Sequence, residues 1–162
     1  MGRWCTFLLL LCSYDAAACA MKDKLVVLPV VAGDVAVDAP AEELPAPAAE
    51  VVEVIRGISA DHASCDDVGL LTVVIEWPRG EHRLADIGFE FSPVDDVGYE
   101  IFPTSPVSGI QDRRRSEFIF MWRDGSPAQQ KPIDVLVDVR AVTADNRRGP
   151  PSRIHVQSNP GT

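Results

Sequence analysis

Leu71-Thr72-Val73-Val74-Ile75-Glu76-Trp77-Pro78 is the stretch that decides the fold. Leu71, Val73, Ile75 and Trp77 alternate with Thr72, Val74 and Glu76. A period of two puts the four large apolar side chains on one face of a strand, whereas a helical period of 3.6 would scatter them. Val74 alone breaks the polar set and reads as a single exposed valine. Pro78 has no N–H to give a sheet ladder, so pairing is expected to stop there. A second stretch answers the first. Ile133, Val135, Val137, Val139 and Ala141 share one face, and Asp134, Asp138 and Arg140 share the other.

Between these two lie further strand-like segments. Val51 to Ile58 reads as a first strand, with Val52 and Val54 on one face. Ile87-Gly88-Phe89-Glu90-Phe91 is another, and Gly98 to Phe102 a short one stopped by Pro103. Glu117 to Trp122 places Phe118, Phe120 and Trp122 together, and Arg153 to Val156 closes the series. Residues 103–115 and 123–132 read as long loops. About seven short strands with turn residues between them and no periodic helix predict an all-β sandwich over residues 50–157, followed by a frayed tail, 158–162. Trp77 is expected at the centre of its core, against Phe89, Val137 and Val139.

The first twenty residues differ in kind. Arg3 precedes an apolar run from Thr6 to Tyr14, and Ala16-Ala17-Ala18-Cys19-Ala20 follows. One positive charge, a short apolar core and small residues with an A-x-A site are the layout of a secretory leader. The run is too short to cross a bilayer. Ala-Ala-Ala-Cys also resembles a bacterial lipobox, which makes Cys19 a candidate lipidation site. Either the leader is removed after Ala20 or Cys19 is kept and lipidated. On both readings Cys65, the fourth of four cysteines, stands alone and no intramolecular disulfide forms. Residues 21–49 carry Asp34, Asp38, Glu42 and Glu43 among alanines and Pro40, Pro45 and Pro47, which reads as an acidic, disordered linker.

The chain has 162 residues and a formal net charge of −9. That is one domain's worth of chain. The charge argues against nucleic acid and against an electrostatic hold on anionic lipid, leaving a lipid on Cys19 as the route to a membrane. The expected protein is a secreted, periplasmic or surface-held monomer.

Four segments resemble parts of a fibronectin type III domain. The strand ending Ile75-Glu76-Trp77-Pro78 is similar to that family's second strand, and Ile87 to Phe91 to its Gly-aromatic third. Val135 to Val142 looks like the sixth strand, and Gly149-Pro150-Pro151-Ser152 like the lead-in to the last. Val135 stands where the family usually has a tyrosine, so a more general immunoglobulin-like sandwich remains an alternative. The resemblance implies a scaffold or binding module without catalysis, and names no ligand.

Candidate contacts follow from charge. Arg113-Arg114-Arg115 is a basic cluster in an acidic chain, suited to carboxylates of a protein or an acidic glycan. Arg147 and Arg148 sit in a second charged loop. Arg123-Asp124-Gly125 reads as a turn. His62 and Cys65 have a His-x-x-Cys spacing but too few further ligands for zinc, and no cofactor is expected. No nucleophile motif, zinc-protease motif or phosphate loop occurs, so the expectation is a non-enzyme. The alternative is a secreted hydrolase or carbohydrate-binding accessory protein with its site in loop 103–115.

Overall fold

A computed structural model describes residues 25–29, 36–59, 65–80, 82–95 and 98–162. Its strands are β1 (Val26–Val27), β2 (Val37–Asp38), β3 (Ala48–Ile55), β4 (Val68–Glu76), β5 (Ile87–Pro93), β6 (Val107–Ser108), β7 (Ile110–Asp112), β8 (Arg115–Arg123), β9 (Ile133–Thr143), β10 (Arg147–Arg148) and β11 (Ser152–Ser158). One sheet runs β3-β4-β8-β7. The other runs β1-β6-β5-β9-β10-β2, with β11 also paired to β9. The chain is an all-β sandwich, and its only helical turns among the described residues are 3₁₀ turns at Cys65–Asp67 and Leu84–Asp86.

Alternation dictates which faces meet. Leu71, Val73, Ile75, Phe118 and Phe120 come from the first sheet, and Ile87, Phe89, Phe91, Val135, Val137, Val139 and Ala141 from the second; all are buried. Phe89 meets Phe118 edge-on at 5.6 Å, Phe91 meets Phe120 at 4.8 Å, and Phe102 meets Phe120 at 5.2 Å. Each such pair adds about 0.5–1.5 kcal/mol beyond the burial of its area. Trp77 is buried and meets Phe89 edge-on at 5.8 Å. It lies past the end of β4, so it closes one end of the core rather than forming its centre. Val139 and Val137 stand opposite Phe91 and Pro93, further along β5 than Phe89.

Several expectations are corrected. Residues 36–47 do not stand off as a linker. Val37 and Ala39 donate backbone hydrogen bonds to the carbonyls of Asn146 (3.2 Å) and Arg148 (2.8 Å), and Leu44 is fully buried. A Cβ on Gly149 would lie 2.5 Å from the Leu44 carbonyl oxygen, so only glycine admits this approach. Prolines favour extended backbone, which suits an edge segment that needs few donors. Leu28 likewise packs over Gly88, and its N–H bonds to the Pro106 carbonyl at 2.8 Å. In β3 a register shift between Val51 and Glu53 turns Val52 outward and leaves Val51 and Val54 half-buried. Val74 is buried despite facing away from the core.

Residues 98–102 form no strand. Ile101 is buried and Phe102 stacks on Phe91 at 6.0 Å, so side-chain packing alone produces their apolar pattern. The missing pairing comes instead from β6 and β7, inside the expected loop 103–115. The tail is tied down as well: Gly161 donates to Gln130 Oε1 at 2.8 Å, and the Ser158 carbonyl accepts from Arg56 at 3.3 Å. Cys65 is disulfide-bonded, with its partner outside the described residues. The expectation of a lone thiol discounted Cys5, Cys12 and Cys19 as parts of a removed leader. A chain that keeps this bond keeps the cysteine that forms it.

Candidate functional site

Strand register sorts the charged groups to two ends of the sandwich. Val68 pairs with Arg123 at one end of the β4–β8 ladder, and Glu76 with Arg115 at the other. The first end is a closed clamp. Arg56, just past β3, sends Nε and Nη2 to the two carboxylate oxygens of Asp124, each at 2.8 Å. Its Nη2 also donates to the Tyr99 hydroxyl (3.1 Å) and the Lys131 carbonyl (2.9 Å). Asp124 further accepts from the Gly57 N–H at 2.7 Å and the Trp122 indole at 3.1 Å. Both side chains are wholly buried. Burial pushes the Asp124 carboxyl up, but Arg56, Gly57 and Trp122 outweigh it and hold the group below its usual value. The turn Arg123-Asp124-Gly125 is thus an internal anchor that presents no side chain of Asp124 to a partner.

The second end is open. β7 and β8 are joined by a two-residue turn, Arg113-Arg114, with Asp112 opposite Arg115. The Trp77 N–H donates to the Arg114 carbonyl at 2.7 Å, fixing the turn to the end of β4. Pro78 then ends the ladder and turns the chain away toward the 3₁₀ turn at Leu84–Asp86. Two side-chain bonds pin this crossing segment. The Trp77 indole N–H donates to the His82 carbonyl (3.0 Å), and Gln111 Nε2 donates to the Leu84 carbonyl (3.2 Å). Between hairpin and crossing segment runs a groove of about 390 Å³. Trp77, Pro78 and Leu84 line its apolar part, and Arg79, Arg113 and Arg114 its charged part.

The groove's charges are of two kinds. Arg83 is held bidentately by Asp86, at 2.7 and 3.0 Å, and that bond keeps the Asp86 carboxyl below its usual value. Arg79, Arg113 and Arg114 are exposed and, among the described residues, have no carboxylate within ion-pair distance. Arg113 also has φ of 54°, a left-handed conformation in a non-glycine residue. That conformation costs a non-glycine residue about 1–2 kcal/mol, and strain of this kind gathers at functional sites.

The structure therefore divides the expected contact residues. Arg113 and Arg114 are brought together with Arg79, which belongs to no cluster in the sequence. Arg115 faces Glu76 at 3.9 Å, a long and exposed pair. Arg147 is taken by Glu43. Arg148 is held by Glu90 at 2.8 Å. Both belong to the fold's own electrostatics, on the sheet opposite the hairpin. Cys19 and His62 lie outside the described residues. Among the described residues no cluster of His, Cys, Asp and Glu could hold a metal ion. No helix among the described residues is long and apolar enough to cross a membrane. No protein-family model matches the chain, and neither a curated protein nor a solved structure shows significant similarity to it.

Proposed function

We propose that this chain is an exported, non-catalytic recognition module of fibronectin type III-like build, which contacts an anionic partner through the groove beside the Arg113-Arg114 turn. The strand order supports the build. β3-β4-β8-β7 facing a sheet that contains β6-β5-β9 with β11 paired to β9 is compatible with the immunoglobulin-type arrangement, with β1, β10 and β2 as additions to it. The disulfide at Cys65 supports an oxidising compartment. Lipidation of Cys19 is the competing membrane link: it would use that sulfur and remove Cys5 and Cys12 with the leader, so it excludes the Cys65 disulfide, and a non-reducing intact mass decides between the two.

One observation carries the binding site. Three guanidinium groups with no ion-pair partner among the described residues surround a pinned, preformed groove in a chain whose net charge is −9. A backbone pinned in advance loses little freedom on binding, so only the arginine side chains are left to order, and guanidinium matches oxyanions through paired hydrogen bonds. The test is chromatographic. The parent protein is retained on a carboxymethyl matrix at pH 7 and low salt despite its net charge. A variant with Arg79, Arg113 and Arg114 all changed to alanine passes through. A control of equal net charge, lacking Arg115, Arg140 and Arg153, is retained. Passage of the parent, or loss of retention in the control, overturns the site.

A further inference from the structure

We infer that the groove's ligand is a short acidic peptide segment of a partner protein, in which carboxylates flank an apolar side chain. This rests on the reading of the groove as the binding site and adds the class of ligand. Three features of the groove and its rim argue for it.

The positive charge is local. Glu76, Asp86 and Asp112 lie in the strands and turn that frame the groove. Charges within a screening length of about 8 Å act together at physiological salt. A long, uniformly charged polyanion would run from the guanidinium groups onto these carboxylates. The matching ligand confines about three negative charges to the groove, one per unpaired arginine.

The floor is apolar and takes one small group. Pro78, Leu84 and Ala85 join Trp77 in the lining, and about 390 Å³ holds a few side chains rather than an oligomer. Sugars are bound by stacking on open aromatic faces. Here the one indole or phenyl ring among the described lining residues, Trp77, is 3% exposed and committed to Phe89 and the His82 carbonyl, which leaves only the small, half-buried imidazole of His82. A carboxylate-bearing sugar would find the charges but no platform. A leucine or valine between two glutamates finds both the charges and the floor.

The tip is built of arginine at a cost to the fold. A two-residue hairpin turn with positive φ at its first position favours glycine there. Arg113 occupies that position, so its side chain is present against the local backbone preference. This makes Arg113→Gly an unusually clean probe, because it removes the guanidinium while relieving the backbone.

The experiment is calorimetric titration of the full chain with a Glu-Leu-Glu-Asp peptide, blocked at both ends. Its Gln-Leu-Gln-Asn counterpart, tetragalacturonate and sulfate serve as comparison probes. The acidic peptide is expected to bind at least about tenfold more tightly than the amide peptide, and Arg113→Gly and Arg114→Ala each to weaken it by about tenfold, the scale of one charge-assisted contact. Arg113→Gly is expected to melt at or above the parent temperature, so the loss is not unfolding. Tetragalacturonate binding better than the peptide overturns the peptide class and leaves the groove standing. Failure of every probe, with retention on the carboxymethyl matrix intact, also overturns the ligand class alone. Failure of every probe together with loss of retention overturns the groove itself. Equal peptide affinity in the parent and Arg113→Gly overturns the proposal outright.

Discussion

Arg56 and Arg113 mark opposite ends of one sandwich and do opposite things with the same side chain. Arg56 is buried, and its guanidinium hydrogen-bonds Asp124, Tyr99, Lys131 and Ser158. Arg113 is exposed at a turn, in a backbone conformation that arginine does not favour. A charge satisfied within the chain ties elements together: here β3, the end of β8, the loop after it and the C-terminus. A charge left unsatisfied at a fixed position is directed outward. The contrast yields a series of tests that should fall off steeply from the first end to the second.

The largest effect is expected at the clamp. Arg56→Ala leaves the Asp124 carboxylate buried with its charge uncompensated. Breaking a buried pair this way costs about 3–5 kcal/mol, which denaturant unfolding would register as a loss of a large part of a domain's stability. A loss below about 1 kcal/mol would show that the clamp is ornamental and that the contrast fails.

Acid should loosen the same end. The Asp124 carboxyl is held below its usual value in the folded state. A depressed folded value means that the contribution to stability is fully present above the unfolded carboxylate range, near pH 4, and is lost as pH falls through the folded value. Arg56 is raised from an already high value, chiefly by its bond to Asp124, so it adds no loss in this window. The melting temperature of the parent is expected to drop below about pH 4, and Asp124→Asn, less stable at neutral pH, to show a shallower acid limb. Identical acid limbs would place the titration elsewhere. A smaller effect is expected at Arg148, which bonds Glu90 from a half-exposed site. Arg148→Ala should cost about 1 kcal/mol or less by thermal melting, with peptide binding unchanged.

The two ends were also unequally legible in the sequence. The strands at 71–77, 87–91, 117–122 and 133–142 follow from alternation, because each buries one face against the other sheet. β7 could not be read, since all three of its residues are exposed and carry no apolar pattern. Its turn was hidden for a related reason: Arg113-Arg114 contains neither the glycine nor the asparagine that signals a hairpin. The arginine cluster was visible, but its separation from Arg115, Arg147 and Arg148 was not, because ion pairs depend on spatial neighbours such as Glu43 and Glu90. The docked stretch 36–47 is illegible in the sequence for the same reason. Its composition suits disorder, and only Gly149, about a hundred residues on, provides the space under which Leu44 lies.

Arg113→Gly should produce the smallest change in stability and the most decisive one for the comparison. Two terms oppose each other. Relieving a left-handed non-glycine residue returns about 1–2 kcal/mol to the folded state. Glycine's greater freedom in the unfolded chain takes back about 0.5–1 kcal/mol. The net expectation is a stabilisation between about zero and about 1.5 kcal/mol, measurable as a small rise in the denaturant midpoint with an unchanged slope. At Arg56 the side chain and the fold are on the same side, and removing one damages the other. At Arg113 they are opposed, so the fold improves when the side chain goes. A clear destabilisation on Arg113→Gly would mean that this arginine also serves the fold, and the distinction between the two ends of the sandwich would collapse.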